Sequence, residues 1–186
     1  MFTLPIESDL KLALLGPEHT PHLFELVLAN RDHLSRFLSW PGAVQQQEDS
    51  RQYICQALKE YGEGQTLTCG LIYKEDLVGM MDLRGLDPAR RVGVLGYWVA
   101  QPHQGRGLVT RSARGIIDYG FQALALEKVE LRCAEGNLRS RAVAERLGFT
   151  LEGTLRRAEV VNGQCLDHRV YGMMRREWAA IATGNP

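Results

Sequence analysis

The stretch VGVLGYWVAQPHQGRGLVTRSARGIIDYGFQAL, residues 92–124, decides the fold. Residues 92–100 are nearly all apolar, as suits a strand covered on both faces of its sheet. Pro102 ends that strand, and Gln104-Gly105-Arg106-Gly107 makes a tight turn. Val109, Ala113, Ile116, Ile117 and Leu124 then recur on one side of a helix. A strand that feeds a glycine-bearing turn at a helix start leaves several backbone N–H groups unpaired and pointing one way, a seat for phosphate oxygens. Arg106, Arg111 and Arg114 crowd the first helical turns, where the helix dipole disfavours each cation by roughly 0.3–1 kcal/mol. A bound polyanion would reverse that sign. The same residues also fit a solvent-facing basic patch. The turn lacks the Lys-Ser/Thr pair of a Walker loop and the third glycine of the dinucleotide fingerprint.

Outward from this stretch the pattern alternates helices and strands. Residues 10–15 read as a strand, and helical spacing predicts helices over 18–29, 32–37 and 48–61. Strands over 66–73 and 77–86 form a hairpin and return the chain into the central strand. A strand over 128–133 follows the central helix, then a helix over 137–147 that Gly148 terminates. Strands 150–161 and 164–174 flank Asn162-Gly163, a type I′ turn signal. A helix over 175–182 and a polar tail close the chain. The expectation is one domain over residues 1–186, a mixed α+β fold with helices on both faces of one sheet.

Composition narrows the chemistry. Within 186 residues, Lys plus Arg and Asp plus Glu each number 22, so the net charge is zero. Nucleic-acid and anionic-membrane binders carry a basic excess, so neither partner is expected and phosphate recognition should be local. Cys55, Cys69, Cys133 and Cys165 make no C-x-x-C pair, and the chain shows no leader pattern or membrane span, which suits a cytoplasmic protein. His19, His22, His33, His103 and His168 form no metal-binding spacing, so no metal is expected. Ser112 and Ser140 lack a G-x-S-x-G elbow.

Gln104-x-x-Gly107-x-Val109 resembles the Q/R-x-x-G-x-G/A pyrophosphate loop of the GNAT superfamily of acyl-CoA-dependent N-acyltransferases, with Val109 in place of a small residue. Asn137-Leu138-Arg139-Ser140, Ala144 and Leu147-Gly148-Phe149 resemble its second signature. Many members carry a tyrosine where this chain has Ala144. The RimJ/RimL-like ribosomal-protein N-terminal acetyltransferases lack it, have a serine corresponding to Ser140, and share the pattern of Ala158-Glu159-Val160-Val161-Asn162 and of Leu38-Ser39-Trp40-Pro41. Taken alone, Asn137 is an N-cap and Glu159 a surface carboxylate beside Arg156 and Arg157.

The resemblance implies a mostly antiparallel sheet whose two central parallel strands splay apart to admit the pantetheine arm. It implies acetyl-CoA as cofactor, held by Trp98, Val99, Gln104, Gly105, Arg106, Gly107, Leu108, Val109, Thr110, Asn137 and Ser140. The acceptor would be a protein N-terminus or a small amine, with Trp40 lining its groove. Glu159 would act as base, directly or through water, or as an anion attracting the ammonium. Ser140 would hydrogen-bond the departing sulfur, and an N–H near Val99 would hold the oxyanion. A homodimer through edge strands or the C-terminal hairpin is compatible with the resemblance, as is a non-catalytic acyl-CoA sensor.

Overall fold

The computed structural model describes residues 2–183. Strands β1 (Thr3–Glu7) and β2 (Leu10–Ala13) lead into helices α1 (Thr20–Leu34) and α2 (Gln47–Gly62). Strands β3 (Leu67–Tyr73), β4 (Asp76–Asp87) and β5 (Val92–Val99) follow, then helix α3 (Leu108–Gln122), strand β6 (Lys128–Ala134) and helix α4 (Leu138–Arg146). Strands β7 (Thr150–Val161) and β8 (Gln164–Met174) precede helix α5 (Arg175–Thr183). The strands form one sheet in the order β1-β2-β3-β4-β5-β6-β8-β7. Its neighbours pair antiparallel except β5 and β6, which are parallel. This is the mixed, mostly antiparallel architecture that the alternation of periods implied.

Helices cover both faces because the buried side chains of each strand alternate. Met80 and Met81 are adjacent on β4 yet belong to different cores. Met81 packs with Ile116 and Ile117 of α3, Val143 of α4 and Trp178 of α5. Met80 packs with Leu23 and Val27 of α1 and Ile54 of α2. Successive side chains of a strand point to opposite faces, so one residue step crosses the sheet.

Two expectations about the N-terminal part need correction. The sequence shows no strand before residue 10, whereas β1 forms an antiparallel edge against β2. The strand carries Pro5, which an edge tolerates because it has no outer ladder to complete. The separate helix expected over 32–37 does not exist: α1 runs on through Leu34, and Phe37 and Leu38 close its end by donating to the Leu34 carbonyl. At the other end of the chain, the expected polar tail lies outside the described residues. The β7–β8 turn takes the expected form, with Val161 paired to Gln164 and both Asn162 and Gly163 at positive φ.

One glycine fixes the centre of the sheet. Gly79 of β4 faces Val99 of β5. A Cβ there would lie 2.9 Å from Val99 Cα and closer still to the Trp98 carbonyl oxygen. Both obstacles are backbone, so neither can turn aside. Gly79→Ala is therefore expected to displace the end of β5 and lower stability by roughly 1–3 kcal/mol, the range for overpacking. A denaturant titration showing an unchanged midpoint would refute this.

Candidate active site

The parallel ladder between β5 and β6 runs from Val92 opposite Lys128 to Leu95 opposite Leu131 and stops there. Beyond it, β5 stays paired with β4 up to Gly79 opposite Val99, and β6 stays paired with β8 up to Ala134 opposite His168. The two strands separate because each follows its other neighbour. The N–H of Ala100 donates to the Val78 carbonyl on β4 at 2.8 Å. Peptide groups alternate in direction along a strand, so the N–H of Val99 turns the other way, into the gap.

A cleft of about 940 Å³ occupies that gap. Tyr97, Trp98 and Val99 all line it, although neighbouring side chains of a strand face opposite sides. The cleft therefore passes through the sheet rather than lying on one face of it. The start of α3 and the face of α4 form two of its walls, and Arg36, Phe37 and Leu38, after α1, form another.

The turn before α3 sits on this cleft. Gly105 and Gly107 adopt φ of 74° and 73°, a left-handed conformation that suits glycine. Gly107 caps α3 without a side chain, and nothing lies within 4 Å of where a Cβ on Gly105 would be. The turn's internal bonds stop at the Gln104 amide, which donates to Gln101, and resume at the Arg111 amide, which donates to Gly107. The amides of residues 105–110 between them have no acceptor among the described residues. This is the open row of donors that a polyphosphate needs.

The arginines are arranged differently from the sequence expectation. Arg111 is ion-paired with Glu7 of β1, and its guanidinium also donates to the Arg106 carbonyl at 3.2 Å. Arg106 and Arg114 are exposed, and none of the three lines the cleft. The cations that do line it are Arg36, Arg139 and Arg146, from the end of α1 and from α4. His33 lies among them, 2.6 Å from Gln104 Nε2. Partial burial, and then the charges of Arg139 and Arg36, hold the His33 imidazole below its ordinary pKa. The arginines nearest the turn in sequence are therefore not the ones that line the cleft.

Helix α4 presents its first turn to the gap. Asn137 is the N-cap, its Oδ1 accepting from the Ser140 amide at 3.2 Å. The Ser140 hydroxyl lies 2.7 Å from the phenol oxygen of Tyr97, across the cleft on β5. Burial pushes the Tyr97 phenol well above its usual range. Ala144, one turn further on, is fully buried in the core and does not line the cleft. Sequence reading passed over Tyr97 because it looks like one more apolar strand residue.

Of the residues singled out in the sequence, Trp98, Val99, Gln104, Gly105, Gly107, Leu108, Val109, Thr110, Asn137 and Ser140 line the cleft, and Arg106, Glu159 and Trp40 do not. Trp40 lies against Trp98, with ring centroids 6.0 Å apart. Glu159 accepts from Ser39 Oγ at 2.6 Å and lies 3.4 Å from His168 Nε2. Its partners are thus Ser39 and His168, and not the neighbouring Arg156 and Arg157. Among the described residues, no three His, Cys, Asp or Glu side chains converge as a metal-ligand set. No helix of the described residues is long and apolar enough to cross a membrane.

A strand-turn-helix with free amides beside a parted parallel pair is the arrangement of an acyltransferase of the GNAT type. Residues 9–150 match the acetyltransferase (GNAT) domain family, and the chain belongs to that family. It is 34% identical over 179 residues to the putative ribosomal N-acetyltransferase YdaF of Bacillus subtilis, covering 96% of this chain and 98% of that one. It is 28% identical over 169 residues to the ribosomal-protein-serine acetyltransferase of Escherichia coli, covering 91% and 94% respectively. Among solved structures, a RimL ribosomal L7/L12 alpha-N-protein acetyltransferase in complex with coenzyme A superposes with a TM-score of 0.91 at 26% identity, covering 95% of this chain and 99% of that one.

The electrostatics of the cleft can be read at His33. Followed by NMR, its ring should titrate below the ordinary imidazole value of about 6.5. Arg139→Ala should move the midpoint up, and so should saturation with ADP, whose charge opposes that of the arginines. A midpoint indifferent to both would contradict the placement of these charges.

Proposed function

We propose that this protein transfers the acetyl group of acetyl-CoA to a primary amine, the N-terminal α-amine of a ribosomal protein. The observation that carries the reading is the row of unpaired amides over residues 105–110, opening on a cleft that passes between β5 and β6. The likeness to ribosomal-protein acetyltransferases over most of the chain supports the acceptor class.

Acetyl-CoA supplies a thioester whose carbonyl carbon can accept an amine. The amides of residues 105–110 hold its pyrophosphate, and Gly105 and Gly107 leave room for it to approach the backbone. The Val99 N–H, turned into the gap, stabilises negative charge that develops on the thioester oxygen. An α-ammonium has a pKa near ~8 and must lose a proton before it attacks. Glu159 takes that proton, directly or through water, and the Ser39 hydroxyl holds its carboxylate in place. Ser140 donates a hydrogen bond to the sulfur as the C–S bond breaks. A thiol of pKa near ~8.5 leaves as thiolate, so a hydrogen bond suffices and no strong acid is needed. Trp40, its ring tilted against that of Trp98 beside the cleft, lines the acceptor's path.

Calorimetry with acetyl-CoA, followed by a thiol-release assay against a serine-initiated peptide, spermidine and an amino sugar, tests this directly. Turnover confined to the peptide is expected. Turnover confined to a small amine would overturn the acceptor assignment, and binding without any turnover would indicate a sensor. Ser140→Ala should lower kcat by about threefold to tenfold, the worth of one hydrogen bond, and leave the affinity for acetyl-CoA intact. Glu159→Gln should lose rate most at neutral pH and recover as pH rises past ~8, where the amine is already deprotonated. A pH–rate profile identical to the parent's would remove Glu159 from the base role.

A further inference from the structure

Ser140 can assist a departing sulfur only if its single hydrogen points into the cleft. A serine hydroxyl rotates freely unless a partner fixes it. In this structure the partner is Tyr97, whose phenol oxygen lies 2.7 Å from Ser140 Oγ. Either oxygen could donate in principle. A phenol, with an ordinary pKa near ~10, is a far stronger acid than an aliphatic hydroxyl and takes the donor role in such a pair. Among the described residues its only alternative acceptor is the Ser140 carbonyl at 3.4 Å, too long for a good O–H···O bond. Burial raises the phenol's pKa further, so it keeps its proton throughout the working range.

With Tyr97 donating, a lone pair of Ser140 Oγ is engaged and the serine's own hydrogen is directed elsewhere. Among the described residues, the other group beside that hydroxyl is the Cys133 thiol, a weak acceptor that a departing thiolate outcompetes for the hydrogen. The backbone geometry of both residues is fixed independently of the pair. Ser140 is held in the first turn of α4 by the Asn137 cap, and Tyr97 by β5 pairing with β4, where Met81 faces it. The hydroxyl of Tyr97 therefore bridges the two walls of the cleft just past the end of the β5–β6 ladder.

We propose that Tyr97 is a positioning residue for the transfer step: it donates its phenolic hydrogen to Ser140 Oγ and so turns the serine's hydrogen toward the departing sulfur. The step itself balances without it. The amine, having given its first proton to Glu159, bonds through nitrogen to the carbonyl carbon; the C–S pair goes to sulfur, and the proton that the nitrogen sheds as the amide forms leaves to water. Tyr97 transfers no proton; it fixes which hydrogen faces the thiolate. The proposal rests on the reading of Ser140 given above, and its test separates the two.

The test compares the parent with Tyr97→Phe, Ser140→Ala and the double variant, using binding as well as turnover. Calorimetry measures affinity for coenzyme A and for desulfo-coenzyme A at pH 7 and pH 9, on either side of the thiol's pKa near ~8.5. The parent should gain about threefold or more in affinity for coenzyme A at the higher pH, relative to the desulfo compound. Tyr97→Phe and Ser140→Ala should each lose that gain, with affinity at pH 7 unchanged. In turnover, Tyr97→Phe should lower kcat by about threefold to tenfold at constant KM for acetyl-CoA, and the double variant should be no slower than Ser140→Ala. If Ser140→Ala loses the gain and Tyr97→Phe keeps it, the positioning role is refuted while Ser140 stands. If both keep it, the Ser140 reading fails and this inference with it. A fall in melting temperature together with lost affinity at pH 7 in Tyr97→Phe would assign the phenol to structure alone and overturn the proposal.

Discussion

Between Leu95 and Leu131 two parallel strands exchange their last hydrogen bonds, and the geometry of the site follows from that termination. A ladder continued to Val99 would consume the N–H that now points into the gap. It would also close the passage that Tyr97 and Trp98 line together from opposite faces. Parting two strands in the middle of a sheet is costly when it strands buried donors, at about 1–3 kcal/mol for each unsatisfied group. The cost is contained here because each strand keeps its outer partner, β4 or β8, to its end. Only the inward-facing groups of a few residues are released, and these are the ones that a bound substrate can engage.

The opposite wall is positioned by long-range contacts rather than by a ladder. Strand β7 has a register shift between Leu155 and Glu159, and Arg157 within it adopts φ of 53° while donating its N–H to Asp167. A bulge of this kind re-aims the residue that follows it. Glu159 is thereby brought to Ser39, and Asn162 at the hairpin tip donates to the Ser35 carbonyl at 2.8 Å. The connection between α1 and α2 is thus fastened to the β7–β8 hairpin at two points. Phe37 and Leu38, which lie between those points in sequence, form the cleft wall. The tilted contact of Trp40 with Trp98 ties the same segment to β5.

What the sequence revealed was whatever depends on near neighbours. The glycines at 105 and 107, the Asn137 cap and the Asn162-Gly163 turn each announce a local backbone geometry that few other residues satisfy, and each forms as expected. Strand β1 escaped notice because five residues with a proline, at a sheet edge, show little more than weak alternation. The helix expected over 32–37 was an artefact of reading periodicity without a boundary, since α1 simply continues. The cations lining the cleft were illegible for a related reason. Arg111 is spent on Glu7, a partner 104 positions away, whereas Arg36 and Arg139 reach the cleft from two other elements. Tyr97 and Ser140 are 43 positions apart, and Glu159 and Ser39 are 120 apart. Only the resemblance to a known family placed Ser140 and Glu159 in one site; it included Ser39 in a shared pattern without a role and said nothing of Tyr97 or His168.

The materials of the site also determine how it should respond to pH. Backbone amides carry no titratable proton, so a phosphate seat made of them works equally at any pH at which the fold holds. Burial, and then the field of Arg139 and Arg36, keep His33 neutral to lower pH than a free imidazole. Tyr97, raised by burial, remains a neutral donor far into alkaline conditions. Cofactor recognition and the orientation of Ser140 are thus insulated from pH across the neutral range. In the proposed reaction, the sensitivity that remains belongs to the acceptor amine, which must lose a proton before it attacks. That separation gives a neutral-charge protein a stable hold on a highly charged ligand while its chemistry follows the ionisation of the amine.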